Sequence, residues 1–167
     1  YWWVNSFLRD GRPPSPTSNG SRRDYPVDEK LILYIITEMN KMFERIPPIT
    51  REIVVYKGIQ LRNISELSKT PQYQSCSTDI STAISFLNGT TCCLLEITLP
   101  IGTKALFTNN SLKEVILPRN IMFQPNMGES EYVLDTSAGS IDIYSAIAVN
   151  TGYLSTIKSL IQGRQEN

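Results

Sequence analysis

The chain has 167 residues, enough for one domain with a real core, and an apolar fraction of 41% and charged fraction of 19% are those of an ordinary globular protein. Sixteen basic and sixteen acidic residues cancel, so the overall charge gives no reason to expect nucleic acid or a membrane surface as a partner. The sequence has no histidine, which excludes Ser-His-Asp and Cys-His catalysis, His-ligated metals and histidine proton shuttles together.

Residues 1–9 (YWWVNSFLR) read as a helix or a packed arm, and 10–26 as a Pro-, Ser- and Arg-rich loop. This divides the chain into an N-terminal segment, 1–26, and one domain, 27–167. The first residue is Tyr1, not Met, which leaves room for a preceding segment. Over 27–46, Ile32, Ile35, Ile36, Met39, Met42, Phe43 and Ile46 recur at helical spacing, with Pro26 ahead and Pro47-Pro48 as the stop. EIVVYKGI (52–59) reads as a strand ending at Gly58, and Asn63 with Glu66 as a capping box. YQSCSTD (73–79) reads as a strand turning into a helix capped by Asp79, with Ile80, Ala83, Ile84 and Leu87 as its apolar stripe and Asn88-Gly89 as its end.

The second half alternates as strands do. TCCLLEITL (91–99) places Cys93, Leu95, Ile97 and Leu99 on one face before a turn at Pro100-Ile101-Gly102. KALF, KEVIL, NIMF and IDIYSAIAV (141–149) follow as strands, and the tail 152–162 has helical spacing. Helices first and strands later favour an α+β fold. Cys76, Cys92 and Cys93 are an odd set without metal-type spacing, read as free thiols, which favours an intracellular site of action.

Three segments carry chemistry. VVYKGI (54–59) ends in aromatic-Lys-Gly, where Gly58 allows close backbone approach and Lys57 supplies positive charge. Ser75-Cys76-Ser77-Thr78 is followed by Ala83 and Phe86, and on a strand Ser75 and Ser77 share one face. ITLPIGTKALFTNNSLKEVILPRNIMF (97–123) combines an apolar strand, a Pro-x-Gly turn, a short loop and Glu114 ahead of an apolar run and Pro-Arg.

Over about residues 52–124 this order resembles the Arg-Ser-Glu class of mono-ADP-ribosyltransferases, and Asn5-x-x-Leu8-Arg9 is similar to that family's N-terminal helix. The absent histidines separate the chain from the His-Tyr-Glu branch of these transferases. The resemblance implies N-terminal helices packed on a mainly antiparallel split β-sheet. It further implies NAD as a substrate, no metal, a monomer, and a macromolecular acceptor, most often a protein.

Carried over, Glu114 is the catalytic carboxylate and Ser75 orients it. Lys57, Gly58, Ser75, Ser77 and Phe86 hold the cofactor, and Leu112 lies on the acceptor side. Three departures stand out. Lys57 replaces the family's Arg and lacks its bidentate fork. Leu112 replaces Glu or Gln and, if on a strand with Glu114, would share its face. The loop Thr108–Ser111 is also shorter than usual. Transfer of ADP-ribose, NAD hydrolysis, and a non-catalytic module on the same fold are the three functions that remain open.

Overall fold

A computed structural model describes residues 2–11, 28–60, 71–87, 92–125, 132–137 and 139–150. The capping box at 63–66, the end at 88–89, the tail helix and nearly all of the 10–26 loop lie outside those residues. Among them are three helices: α1 (Trp2–Asp10), α2 (Glu29–Arg45) and α3 (Ile80–Ser85). The eight strands are β1 (Ile53–Gln60), β2 (Gln74–Ser77), β3 (Cys92–Leu99), β4 (Leu106–Phe107), β5 (Glu114–Leu117), β6 (Ile121–Pro125), β7 (Tyr132–Thr136) and β8 (Gly139–Asn150). The architecture is α+β, as the order of patterns predicts. No described helix is long and apolar enough to cross a membrane.

The strands form one sheet in the order β4-β5-β2-β1-β3-β8-β6, with β7 also paired to β8. The β3–β8 pair is parallel and every other pair is antiparallel. The order forces the sheet to curl. In a flat sheet β5 and β6 would lie five strand spacings apart, about 24 Å. Only Pro118, Arg119 and Asn120 join them, a reach of about 14 Å. The two ends of the sheet must therefore approach each other, and Asn120 makes the link with a left-handed φ of 60°.

Curling encloses one face as the main core. Val55 and Ile59 of β1 meet Cys93, Leu95, Ile97 and Leu99 of β3, Val115 and Leu117 of β5, and Ile121 and Phe123 of β6. The four alternating residues expected to share a face of β3 are all fully buried. The other face of β3 is covered too, because Leu94 lies with Ala83 and Ile143 and packs against Ile80, Ile84 and Leu87. Strand β1 runs two residues past its expected end at Gly58, because Ile59 and Gln60 pair with Cys93 and Cys92.

The long helix buries Ile32, Ile36 and Phe43, with Ile35, Met39 and Ile46 packed beside them. Its N-cap is Asp28, whose carboxylate accepts from the Lys30 N–H. Both N-terminal helices converge on Tyr73. The Asn5 side chain donates to the Tyr73 carbonyl (3.0 Å) and accepts from its N–H (3.1 Å). The Tyr73 hydroxyl donates to Asn40 Oδ1 (2.7 Å), and its ring stacks on Phe43. Two residues later the chain reaches Ser75. The N-terminal layer thus fixes the entry of the strand that carries the candidate site.

Candidate active site

Strands β1 and β2 pair at one position, Tyr56 with Ser77. Beyond it they diverge, and a cleft of about 350 Å³ opens in the split. Tyr56, Lys57 and Gly58 line it from β1, Ser75, Cys76 and Ser77 from β2, Thr82, Ala83 and Phe86 from the region of α3, and Leu112 and Glu114 from the far side. All seven residues singled out in the sequence therefore meet in one cleft.

Each side chain has a local reason for its place. Gly58 lies beside α3, where an added Cβ would meet the Leu87 side chain. The missing side chain leaves room for Leu87 against the strand. Asp79 starts that helix by accepting from the Ser81 and Thr82 N–H groups, as its sequence position predicts. At the other end Phe86 is the C-cap, and its ring is 62% exposed at the cleft wall, open to a planar ligand.

In the split, the Lys57 ammonium donates to the Ser75 carbonyl at 3.1 Å, replacing a strand-to-strand bond that the divergence removes. Directly behind Ser75, burial pushes the Cys76 thiol up to about 11, against the pull of Lys57 and with a smaller push from Glu114. Cys76 and Cys93 are both free and buried.

Glu114 is half-buried, and the Ser75 hydroxyl donates to its Oε1 at 2.5 Å. Ser77 behaves differently from Ser75. Its hydroxyl donates to the Leu112 carbonyl (2.9 Å) and accepts from the Asp79 N–H (3.0 Å), so it ties the turn after β2 to the loop before β5. The Thr78 N–H to the Lys113 carbonyl (3.1 Å) and the Lys113–Asp79 ion pair (2.9 Å) reinforce that tie. Hydrogen bonding to Lys113, followed by the Thr82 N–H, holds the Asp79 carboxyl below its ordinary value.

Leu112 departs from its expected place on a strand. Leu112 does not extend the strand of Glu114 and does not share its face in that sense. Strand β5 begins at Glu114, and Lys113 takes a left-handed φ of 46° that breaks the alternation. Leu112 sits in the turn, 42% exposed, and reaches the cleft from there.

Of the cleft lining, the sequence does not single out Tyr56 or Thr82. Glu96, Tyr56, Ser77 and Glu114 stand in one row across four strands. Tyr132, on the unpredicted strand β7, donates to Glu96 at 2.9 Å. Burial, and then the Glu96 charge, raise the Tyr56 phenol. The β-prone run Tyr132-Val133-Leu134 was the available signal for β7. Cross-strand register, by contrast, leaves no mark in a single sequence. Among the described residues no group of three acidic, Cys or His side chains gathers as a metal site would require.

No family model and no curated protein matches the sequence. Solved structures do. Plx2a, an ADP-ribosyltransferase toxin from Paenibacillus larvae, matches with a TM-score of 0.60 at 14% identity, over 87% of this chain and 78% of that one. The Vis toxin, an ADP-ribosyltransferase from Vibrio splendidus, matches with 0.57 at 17% identity, over 91% and 68%. The ADP-ribosylating toxin BECa of C. perfringens, solved with NADH, matches with 0.57 at 14% identity, over 89% of this chain and 40% of that one. This chain has the α+β fold of the ADP-ribosyltransferase toxins.

Proposed function

We propose that this protein cleaves the nicotinamide–ribose bond of NAD and transfers the ADP-ribose to an acceptor. The observation that carries the reading is the Ser75–Glu114 hydrogen bond inside a cleft split between β1 and β2, on this fold. When the bond breaks, its electron pair leaves with the pyridinium nitrogen. Nicotinamide departs neutral, and positive charge passes to the ribose as an oxocarbenium-like transition state. A carboxylate fixed beside that ribose stabilises the developing charge more than the ground state, which is the difference catalysis needs.

Glu114 takes that role, and Ser75 holds its carboxylate in place. Phe86 gives the nicotinamide ring a surface, and Gly58 lets the ligand approach the backbone of β1. Lys57 has three N–H donors, of which the bond to Ser75 uses one; the others would meet the pyrophosphate. An ammonium is a point charge without the guanidinium's fork, so this hold is less directional than an arginine's. NAD serves as a substrate here, and the chemistry needs no metal.

Transfer to water is the second reading, and Leu112 favours it. An apolar side chain beside the cleft can neither align nor deprotonate an acceptor side chain, whereas water needs no alignment. Incubation with NAD labelled in its adenylate half, alone and with cell lysate, separates the two. Transfer predicts labelled macromolecule in the lysate. Rapid nicotinamide release with label only in free ADP-ribose would replace transfer by hydrolysis.

A further inference from the structure

Each oxygen of the Glu114 carboxylate has its own donor. Ser75 serves Oε1, and the Asn110 side-chain amide donates to Oε2 at 3.2 Å. The same amide turns back on the backbone, because Asn110 Oδ1 accepts from the Glu114 N–H at 3.2 Å. The Asn110 carbonyl accepts from the Lys113 N–H at 3.1 Å and closes the turn whose last residue carries the left-handed φ. Thr108 completes the hold, donating to the Glu114 carbonyl through both its N–H and its hydroxyl at 3.0 Å.

We infer that Asn110 is a positioning residue for Glu114, an inference that rests on the proposed NAD chemistry. A carboxylate held by Ser75 alone can still swing about the bond to Oε1. A second donor on Oε2 fixes the plane of the group, and planarity decides how its charge faces the ribose. Asn110 thus puts a polar amide on Glu114 from the loop that carries the apolar Leu112 two residues later. The ring through the Glu114 N–H couples loop conformation to carboxylate orientation, so an acceptor that displaced the loop would also turn the carboxylate. An amide suits the task better than a carboxylate would, because it donates to one partner and accepts from the other at once.

The test is steady-state nicotinamide release by wild type, Asn110→Ala, Asn110→Asp and Glu114→Gln. Removing one charge-assisted hydrogen bond at an exposed site is expected to lower kcat about fivefold to tenfold in Asn110→Ala. KM for NAD should stay within about twofold, because the amide acts on the transition state and not on ground-state binding. Asn110→Asp places a second negative charge beside the first and is expected to lose more.

An unchanged kcat in Asn110→Ala, with wild type active and Glu114→Gln inactive, overturns this assignment and leaves the reading of Glu114 standing. A loss confined to KM, or a collapse of the thermal midpoint in Asn110→Ala, overturns it as well, since either shows the amide serving binding or folding. No nicotinamide release by wild type removes the NAD reading and this inference together, whereas release by Glu114→Gln at the wild-type rate removes the role of Glu114 and, with it, this inference.

Discussion

Among single residues, the two serines of β2 divide the work of the cleft. Both face the cleft, but Ser75 donates to a carboxylate while the hydroxyl of Ser77 is used on a backbone carbonyl and a backbone N–H. Ser75 is therefore placed to act on Glu114, and Ser77 to keep the turn and the loop together. Between them Cys76 points into the core, where burial raises its thiol to about 11. At neutral pH such a group stays protonated, and the thiolate is the reactive form. Alkylation of the native protein at pH 7.5 followed by peptide mapping should leave Cys76 unmodified, with reaction only after unfolding. Rapid native labelling of Cys76 would mean that β2 opens, or that Lys57 governs the thiol more than burial does.

At the scale of elements the site is assembled from a distance. Among the described residues neither α1 nor α2 lines the cleft, yet both hold Tyr73, and Tyr73 fixes the start of β2. Asn5→Ala removes two part-buried hydrogen bonds to the Tyr73 backbone. The expected cost is about 2 kcal/mol, at about 1 kcal/mol for each bond. It should appear as a lower denaturation midpoint at constant slope in urea. A midpoint unmoved by the substitution would show that the Asn5 contacts contribute nothing to the anchoring of β2.

How much of this was legible in the sequence follows from the range of each signal. The helix over 29–45, the cap at Asp79, the alternation in β3 and the turn at Gly102 are local patterns, and each stands close to where periodicity put it. Strand β1 overran its predicted end because the pairing partner, not Gly58 itself, decides where a strand stops. Leu112 was misplaced for a related reason. Alternation assumes an extended chain, and one left-handed residue, Lys113, cancels it. The bonds of Asn5 to Tyr73 span 68 residues, and no sequence spacing announces them. Asn110, only four residues from Glu114, read simply as part of a polar turn, because an Asn in a turn has many uses and the sequence does not say which.

For the whole molecule, one topological fact explains both core and cleft. Three residues join β5 to β6 although they lie far apart in strand order, so the sheet curls and buries one face as the core. On the other face α3 covers only part of the sheet, and β1 parts from β2 beside it. The cleft therefore sits where the sheet is least paired, and its carboxylate comes from β5 on the far side of the split. Such an arrangement can grip an elongated ligand between strands without dismantling the core beneath.

On the proposed chemistry Glu114 stabilises the charge formed as nicotinamide leaves. NAD affinity and the rate of nicotinamide release, measured for Glu114→Gln beside wild type, isolate that role. The amide keeps the size of the side chain and removes its charge. Glu114→Gln should bind NAD within a few-fold of wild type and release nicotinamide about 100-fold to 1,000-fold more slowly, as for other groups that act on transition-state charge. Release at the wild-type rate would show that the Glu114 charge has no part in breaking the bond.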